Sequence, residues 1–223
     1  MRAGTILSLV LFYGLIMLFL IFLIAINAPA CELKSPYSNT KNLGLFYVEA
    51  STSTSRHWGT AFLVEFNKKR YLLSAAHVCN KSLSLRLVHL DGKEVKVLKE
   101  HLIADVCVLS ARNIPESYVP FNMIKLTDQA DTTEIVAYGF PESNVVATSC
   151  LKLREIRTSL LTARLIFDGL LIPGMSGGPM VESTTGKVVG INVAIKLSEF
   201  KSLGETLVPI YEILEELDHK GIN

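Results

Sequence analysis

The sequence predicts a mostly antiparallel, all-β fold that ends in one helix. Short runs rich in β-branched and aromatic residues recur at close spacing along most of the chain, and turn-forming residues separate them. Helical periodicity is scarce until the C-terminal end, where Pro209 precedes apolar residues at the i, i+3, i+4 and i+7 positions of one face. Many short strands with a single terminal helix are typical of a β-sandwich or of β-barrels.

The predicted strands fall into two sets. The first set is 43–50, 58–66, 70–74, 83–89, 94–98 and 105–110, with Asp91-Gly92 as a hairpin turn. The second set is 134–140, 145–153, 160–167, 179–181, 187–195 and a short last strand at 207–208. Residues 115–127 carry few strand signals and predict a linker. We therefore expect one domain at 42–219, made of a first β unit at about 42–114, a second at about 128–208 and a helix at about 209–219.

An apolar segment occupies the N-terminus. Residues 6–26 contain no charge, and a helix of this length would be about 31 Å long, close to the thickness of a bilayer core. We interpret 1–30 as a retained transmembrane anchor. A cleaved signal peptide and a lipidated Cys31 are the alternatives, because Ala28-Pro29-Ala30 is typical of a cleavage site. Residues 31–41 are polar and predict a tether, with the domain outside the cytoplasm, either membrane-anchored or, after cleavage, secreted or periplasmic.

The composition excludes some classes of partner. The 22 Lys and Arg residues nearly balance the 21 Asp and Glu residues, and no basic run suggests a nucleic-acid surface. The four cysteines lack the short paired spacing of a zinc site. We therefore predict neither a metal nor an organic cofactor.

The stretch from Pro173 to Pro179 surrounds Ser176 with three glycines and two prolines. Glycines on both sides of a serine allow a tight turn that projects the hydroxyl outward and aims neighbouring N–H groups at one spot. A serine nucleophile beside an oxyanion hole needs this arrangement. An ordinary Gly/Pro-rich turn with a solvated serine is the alternative.

Two further residues fit the same chemistry. His77 follows a predicted strand that ends in small residues, and Asp105 heads an apolar strand where a buried carboxylate needs a partner. Separately, each could be an ordinary surface or satisfied residue. Together with Ser176 they occur in the order His, Asp, Ser, at intervals of 28 and 71 residues. The base and its orienting carboxylate would share one β unit, and the nucleophile would come from the next.

These motifs resemble the chymotrypsin-like (trypsin-like) serine peptidases, and among them the compact bacterial branch that includes the HtrA proteases. The resemblance covers about 42–218 and is carried by the segments 59–64, 74–77, 104–106, 173–179 and 190–195. It implies two antiparallel six-stranded β-barrels with the active site in the cleft between them. It also implies His77 as general base, Asp105 as its orienter and Ser176 as nucleophile, with a polypeptide as substrate. The N–H groups of Gly174 and Ser176 would form the oxyanion hole.

The sequence departs from the family in three places. It has no Ile-Val-Gly-Gly activation motif, and Met175 precedes the serine where the animal enzymes carry an aspartate. Because the sequence ends at Asn223, we expect no PDZ domain of the HtrA kind. The cysteine after the histidine is displaced by one residue, to Cys79. We expect the cysteines to be buried free thiols, with a Cys79–Cys107 bridge as the alternative.

The resulting prediction is a serine endopeptidase. A catalytically silent, membrane-tethered binding module on the same fold is the main alternative, and an esterase that spares peptides is a lesser one. The pocket for the residue before the scissile bond is predicted to be apolar, because the nearest carboxylate, Asp168, is eight residues before the nucleophile. Cleavage is then expected after small to medium aliphatic residues. The residues assigned to this pocket are Leu170, Leu171, Ile191, Asn192 and Val193; alternatively, the leucines belong to a barrel core.

Overall fold

The computed structural model describes residues 37, 42–80, 82–124, 134–142, 145–159, 162–196 and 201–222. The predicted anchor at 1–30 and most of the predicted tether at 31–41 lie outside these residues. Over the ranges just given, no helix is long and apolar enough to span a bilayer.

The first β unit is an open antiparallel sheet of seven strands. In chain order they are β1 Leu45–Ser51, β2 Arg56–Phe66, β3 Lys69–Ala75, β4 Ser84–Leu87, β5 Lys93–Glu94, β6 Val97–His101 and β7 Val106–Ser110. Their order in the sheet is β5-β4-β1-β2-β3-β7-β6. The hairpin predicted at Asp91-Gly92 joins β4 to β5.

The first unit therefore differs from the closed six-stranded barrel that we predicted. The predicted strand at 94–98 is divided in two, with β5 pairing to β4 and β6 pairing to β7. The break at 95–96 leaves β5 and β6 as the two edges of the sheet, without ladder pairing to each other. The curved sheet still encloses an apolar core, in which Phe46, Leu72 and Leu109 are fully buried.

The second β unit is a closed six-stranded barrel, as predicted. Its strands are β8 Glu134–Glu142, β9 Val145–Thr158, β10 Ala163–Asp168, β11 Pro179–Glu182, β12 Val188–Lys196 and β13 Lys201–Thr206, in the closed order β10-β13-β12-β11-β8-β9. The strand predicted at 207–208 is wrong, because β13 ends at Thr206 and the terminal helix begins at Val208. The position of β13 in the barrel depends on Gly204, where a Cβ would collide with the buried Met180 side chain.

Two α-helices complete the described fold. The short helix α1, Ala76–Cys79, follows β3 directly. The terminal helix α2, Val208–His219, confirms the predicted periodicity, since Ile210, Ile213, Leu214 and Leu217 are all buried. It lies against the first sheet, where Lys69 pairs with Asp218 at 2.7 Å. The last element of the chain thus packs onto the first β unit.

Candidate active site

Helix α1 presents His77 at the end of β3. Its other three residues, Ala76, Val78 and Cys79, are buried, whereas the His77 side chain is half exposed. The helix is held at two backbone positions: Ala76 N donates to Asp105 O at 3.0 Å, and the His57 ring bonds Val78 O at 3.1 Å. A single anchored turn therefore directs the imidazole outward in a fixed direction.

Asp105 lies in the turn between β6 and β7 and contacts His77 at two points. One carboxylate oxygen, Oδ1, accepts the His77 backbone N–H at 2.8 Å, and Oδ2 lies 2.7 Å from the ring Nδ1. The residue adopts a left-handed backbone with φ of 55°, which Asp tolerates better than most side chains. With the Nδ1–H group donated to the carboxylate, the other ring nitrogen, Nε2, is free to accept a proton.

A disulfide joins the elements that carry these two residues. Cys79 in α1 is bonded to Cys107 in β7, and both are buried. The expectation of free thiols was wrong for this pair, and none of the described cysteines is a free thiol. The two Cα atoms are 6.5 Å apart, within the range for a disulfide. The bridge links positions two residues beyond His77 and two beyond Asp105.

The loop before β11 contains Ser176 in a tight turn. Gly174 and Gly177 have φ of 92° and 85°, a conformation that favours glycine. The turn is closed by Met175 N donating to Ile172 O at 3.1 Å and by Gly178 N donating to Met175 O at 3.0 Å. Within the described residues, the N–H groups of Gly174 and Ser176 donate to no backbone acceptor. Both remain available for an oxygen outside the chain.

Thr60 of the first β unit holds this loop. Its N–H donates to Ser176 O at 2.8 Å, and its hydroxyl donates to Gly174 O at 2.9 Å. The same hydroxyl accepts Phe140 N–H at 2.9 Å. Thr60 therefore joins β2, the serine loop and β8 at one point. Sequence patterns did not predict this role, although Thr60 lies inside the 59–64 motif.

The structure brings the serine loop next to the helix that carries His77. A Cβ at Gly59 would collide with both Val78 and Ser176 O, so the two segments adjoin across this glycine. The Ser176 hydroxyl itself lies 3.4 Å from Val193 O. Within the described residues, His77 is hydrogen-bonded to Asp105, and no hydrogen bond joins it to Ser176.

Asn192, assigned to the substrate pocket from sequence, is fully buried behind the serine loop. Its side-chain N–H donates to Tyr138 O at 2.9 Å and to Met175 O at 3.1 Å. Its backbone N–H donates to Gly178 O, and its carbonyl accepts from Gly177 N, both at 2.8 Å. Four contacts of this kind make Asn192 a support for the loop that carries Ser176.

The other predicted pocket residues divide between core and surface. Leu171 and Ile191 are buried, Leu171 within the core of the second barrel, and Val193 is buried with its carbonyl at Ser176. Leu170 is 41% exposed. Two further large apolar residues near the loop, Ile172 and Trp58, are about as exposed as Leu170. A Cβ at Gly174 would lie 3.1 Å from the Trp58 ring nitrogen, which places Trp58 beside Gly174.

Asp168 lies on the outside of the second barrel. Its carboxylate pairs with Arg154 at 3.0 Å, and both side chains are more than half exposed. Where the chain is described, no group of three His, Cys, Asp or Glu residues could hold a metal ion.

A model of the trypsin-like peptidase domain matches residues 59–191 of this sequence. No curated protein matches it. Among solved structures, the HtrA-type protease AlgW with a tripeptide is 19% identical, with a TM-score of 0.65. That match covers 82% of this chain and 62% of AlgW, so this chain spans less than two thirds of AlgW.

Two other solved structures have a similar fold. The Rv3671c protease from M. tuberculosis in its active form is 15% identical, with a TM-score of 0.67 and 86% of each chain covered. The serine endoprotease from Yersinia pestis is 21% identical, with a TM-score of 0.64, and the match covers 82% of this chain and 65% of that one. At these identities the likeness establishes the fold.

Proposed function

Because this chain belongs to the family of trypsin-like peptidase domains, we propose that it is a serine endopeptidase with His77, Asp105 and Ser176 as its catalytic triad. The observation that carries the proposal is the double contact of Asp105 with His77, to the ring at 2.7 Å and to the backbone at 2.8 Å. This contact fixes both the tautomer and the direction of the imidazole, which a general base requires.

In the proposed mechanism, Ser176 Oγ attacks the carbonyl carbon of a peptide bond. His77 Nε2 takes the hydroxyl proton as the O–C bond forms, and Asp105 stabilises the imidazolium. His77 then gives the proton to the leaving amine as the C–N bond breaks. A water molecule, deprotonated by His77 in the same way, hydrolyses the acyl-enzyme. The Ser176 hydroxyl, now directed at Val193 O, turns about its Cα–Cβ bond to engage His77.

The N–H groups of Gly174 and Ser176 are the proposed oxyanion hole. They lie in one turn, and within the described residues neither is used by the backbone. Thr60 and Asn192 hold the carbonyls of the same turn, so the N–H groups are positioned before substrate binds. One such donor contributes about 3–4 kcal/mol to transition-state stabilisation.

For specificity, we propose cleavage after small to medium aliphatic residues. The exposed apolar side chains of Leu170 and Ile172 flank the serine loop. Asp168, the carboxylate that could have attracted a basic residue, is already paired with Arg154 on the outer surface. A Lys or Arg side chain would lose hydration at such a site without gaining a partner.

For location, we propose that the domain works outside the cytoplasm, anchored by the apolar segment at 1–30 or released from it. The Cys79–Cys107 disulfide supports an oxidising compartment, because structural disulfides are rare in the cytosol. The uncharged run at 6–26 supports export. The proposed substrate is a polypeptide.

A second function, a catalytically silent binding module, is favoured by one observation. The Ser176 hydroxyl is bonded to Val193 O rather than to His77. If this bond persists with substrate bound, the nucleophile is not activated.

A fluorophosphonate probe and fluorescein-labelled casein together distinguish the two functions. For the peptidase we expect covalent labelling of the full chain and release of fluorescent peptides, both abolished in Ser176→Ala. The matched control is Ser149→Ala, which removes a hydroxyl from β9 that contacts Met175 but lies outside the proposed triad. Absence of labelling and of casein cleavage in a folded protein would establish the silent module. Sequencing of the casein fragments tests specificity, and a preference for Arg or Lys before the cleaved bond would contradict the apolar pocket.

A further inference from the structure

A buried carboxyl group lies in the second barrel close to the proposed catalytic pair. The Glu205 side chain in β13 is 1% exposed. Its Oε1 accepts N–H groups from Ala163 and Thr206, each at 3.3 Å. Within the described residues, its second oxygen, Oε2, has no hydrogen-bond partner. An apolar side chain would pack equally well in this position. The presence of a buried carboxyl group therefore needs an explanation.

An arginine close to this oxygen is also in contact with the turn that carries Asp105. Arg164 stands opposite Glu205 in the β10–β13 pair, with its Nε 3.9 Å from Oε2. Its Nη2 donates to Ile103 O at 3.4 Å. Ile103 lies within the four-residue turn that ends at Asp105. One arginine of the second barrel therefore contacts both the buried carboxyl and the first-unit turn.

Two charged side chains face Glu205 from the elements around it. Arg164 in β10 favours the ionised form of Glu205, and Asp105, in the turn before β7, opposes it. His77 is paired with Asp105, with its Nδ1 2.7 Å from Oδ2. Burial is the largest influence and raises the pKa of Glu205 to about 7. Glu205 therefore changes charge in the pH range where a histidine base also titrates.

We propose that Glu205 is a positioning residue that acts on His77 through Asp105, with Arg164 as its counter-ion and as the anchor of the Asp105 turn. The inference rests on the proposed triad and concerns its regulation. When Glu205 is neutral, Asp105 supplies the negative charge of this cluster that acts on His77. When Glu205 ionises, a second negative charge favours the protonated imidazole and keeps part of the base occupied.

This coupling has a characteristic pH window. At acid pH Glu205 is neutral in the parent, so the parent and Glu205→Gln behave alike. At alkaline pH a histidine base is unprotonated whatever the charge of its neighbours. Around neutrality, ionised Glu205 favours the protonated imidazole in the parent, whereas the uncharged variant does not. We expect kcat/KM of Glu205→Gln to exceed that of the parent by up to about threefold near pH 7, and to converge with it at both ends.

The first experiment measures kcat/KM for fluorescein-labelled casein between pH 5 and 9, for the full chain and for Glu205→Gln. Gln keeps the shape of the protonated carboxyl and can still accept the two backbone N–H groups. A loss of activity by the same factor at every pH would indicate a merely structural role and would overturn the proposal. Superimposable profiles would overturn it as well.

The second experiment does not depend on turnover. The ring carbon Cε1 of His77 is followed by NMR in ¹³C-histidine-labelled Ser176→Ala protein, and its signal is assigned among the five histidines with a His77→Gln variant. We expect the His77 titration midpoint to fall when Glu205→Gln is added. If the parent cleaves nothing, the proposed function fails, yet this midpoint still decides the inference. An unchanged midpoint refutes the inference even if the protein is an active peptidase.

Substitution of the half-exposed Arg164 tests the proposal even if Glu205→Gln does not fold. Arg164→Met removes the counter-charge, so Glu205 stays neutral to higher pH and the ratio of kcat/KM at pH 7 to that at pH 9 should rise. Arg164→Lys keeps the charge and should retain the ratio of the parent. Equal ratios in all three proteins would overturn the role of the pair.

Discussion

Asp105 holds His77 by its main chain as well as by its ring, with Oδ1 2.8 Å from the backbone nitrogen and Oδ2 2.7 Å from Nδ1. One carboxylate therefore fixes both helix α1 and the imidazole that α1 carries. The carboxylate is itself placed by a left-handed residue in a turn. This one carboxylate consequently links the turn, helix α1 and the His77 imidazole.

The first prediction follows from this double contact. In Asp105→Asn the amide can donate its N–H to the ring, which stabilises the wrong tautomer of His77, so kcat/KM should fall by about 10⁴. The measurement is casein hydrolysis at pH 8, with the fold checked by circular dichroism. Asp91→Asn is the matched control, because Asp91 has the same φ of 55° in an exposed turn. Equal activity in the two variants would contradict the triad.

The second prediction concerns Thr60. In Thr60→Val the shape is kept, but Gly174 O loses its donor and Phe140 N–H loses its acceptor. We expect a loss of about 1–3 kcal/mol in unfolding free energy. We also expect kcat to fall by about tenfold or more, because the oxyanion loop loses its support. Urea denaturation and steady-state kinetics give the two values.

Thr60→Ser keeps the hydroxyl of that position and should recover most of both losses. If the Val and Ser variants lose activity alike, the methyl packing of Thr60 matters as well as its hydroxyl. Activity retained in Thr60→Val would show that the loop keeps its geometry without this bond.

Much of the fold could be predicted because most strands are locally encoded. Alternation and β-branched runs predicted eleven of the strands, with some errors in their bounds. The strand β13 was missed because its sequence, Lys201–Thr206, contains serine, glycine, glutamate and threonine. Its polar residues Ser202, Glu205 and Thr206 are buried only because neighbouring strands surround them. No local pattern distinguishes such a strand from a loop.

The open edges of the first sheet and the disulfide depend on elements too short for sequence patterns. The two-residue β5 and the four-residue α1 have no periodicity to detect. The position of Cys79 opposite Cys107 follows from α1 and could not be inferred without it. His77, Asp105 and Ser176, by contrast, are marked by small residues and glycines that the site needs locally. Thr60 and Asn192 support the site through contacts that only the folded chain reveals.

The third prediction concerns the disulfide. Removing it in Cys79→Ala/Cys107→Ala releases a link across 28 residues, which should cost about 3–4 kcal/mol in unfolding free energy. The two alanines are used because both positions are buried. Guanidinium denaturation of the double variant and of the oxidised parent gives the difference. Both proteins are measured without reductant, so that any other disulfide stays intact, and an unchanged midpoint would mean that the bond is not formed.

The last prediction concerns stability against pH. Burial raises the pKa of Glu205 to about 7, whereas in the unfolded chain it is about 4.5. The folded state therefore binds the Glu205 proton more tightly than the unfolded state does. The resulting contribution to the unfolding free energy is complete below about pH 4.5 and is lost as the pH rises to about 7. The loss amounts to about 3 kcal/mol. Urea denaturation from pH 4.5 to 8 gives the unfolding free energy. That of Glu205→Gln should not show this part of the decline, and at pH 8 it should exceed that of the parent. Glu155→Gln, at an exposed carboxylate paired with Arg157, is the control and should follow the parent curve. If Glu205→Gln declines as steeply as that control, Glu205 is already ionised at low pH in the folded protein.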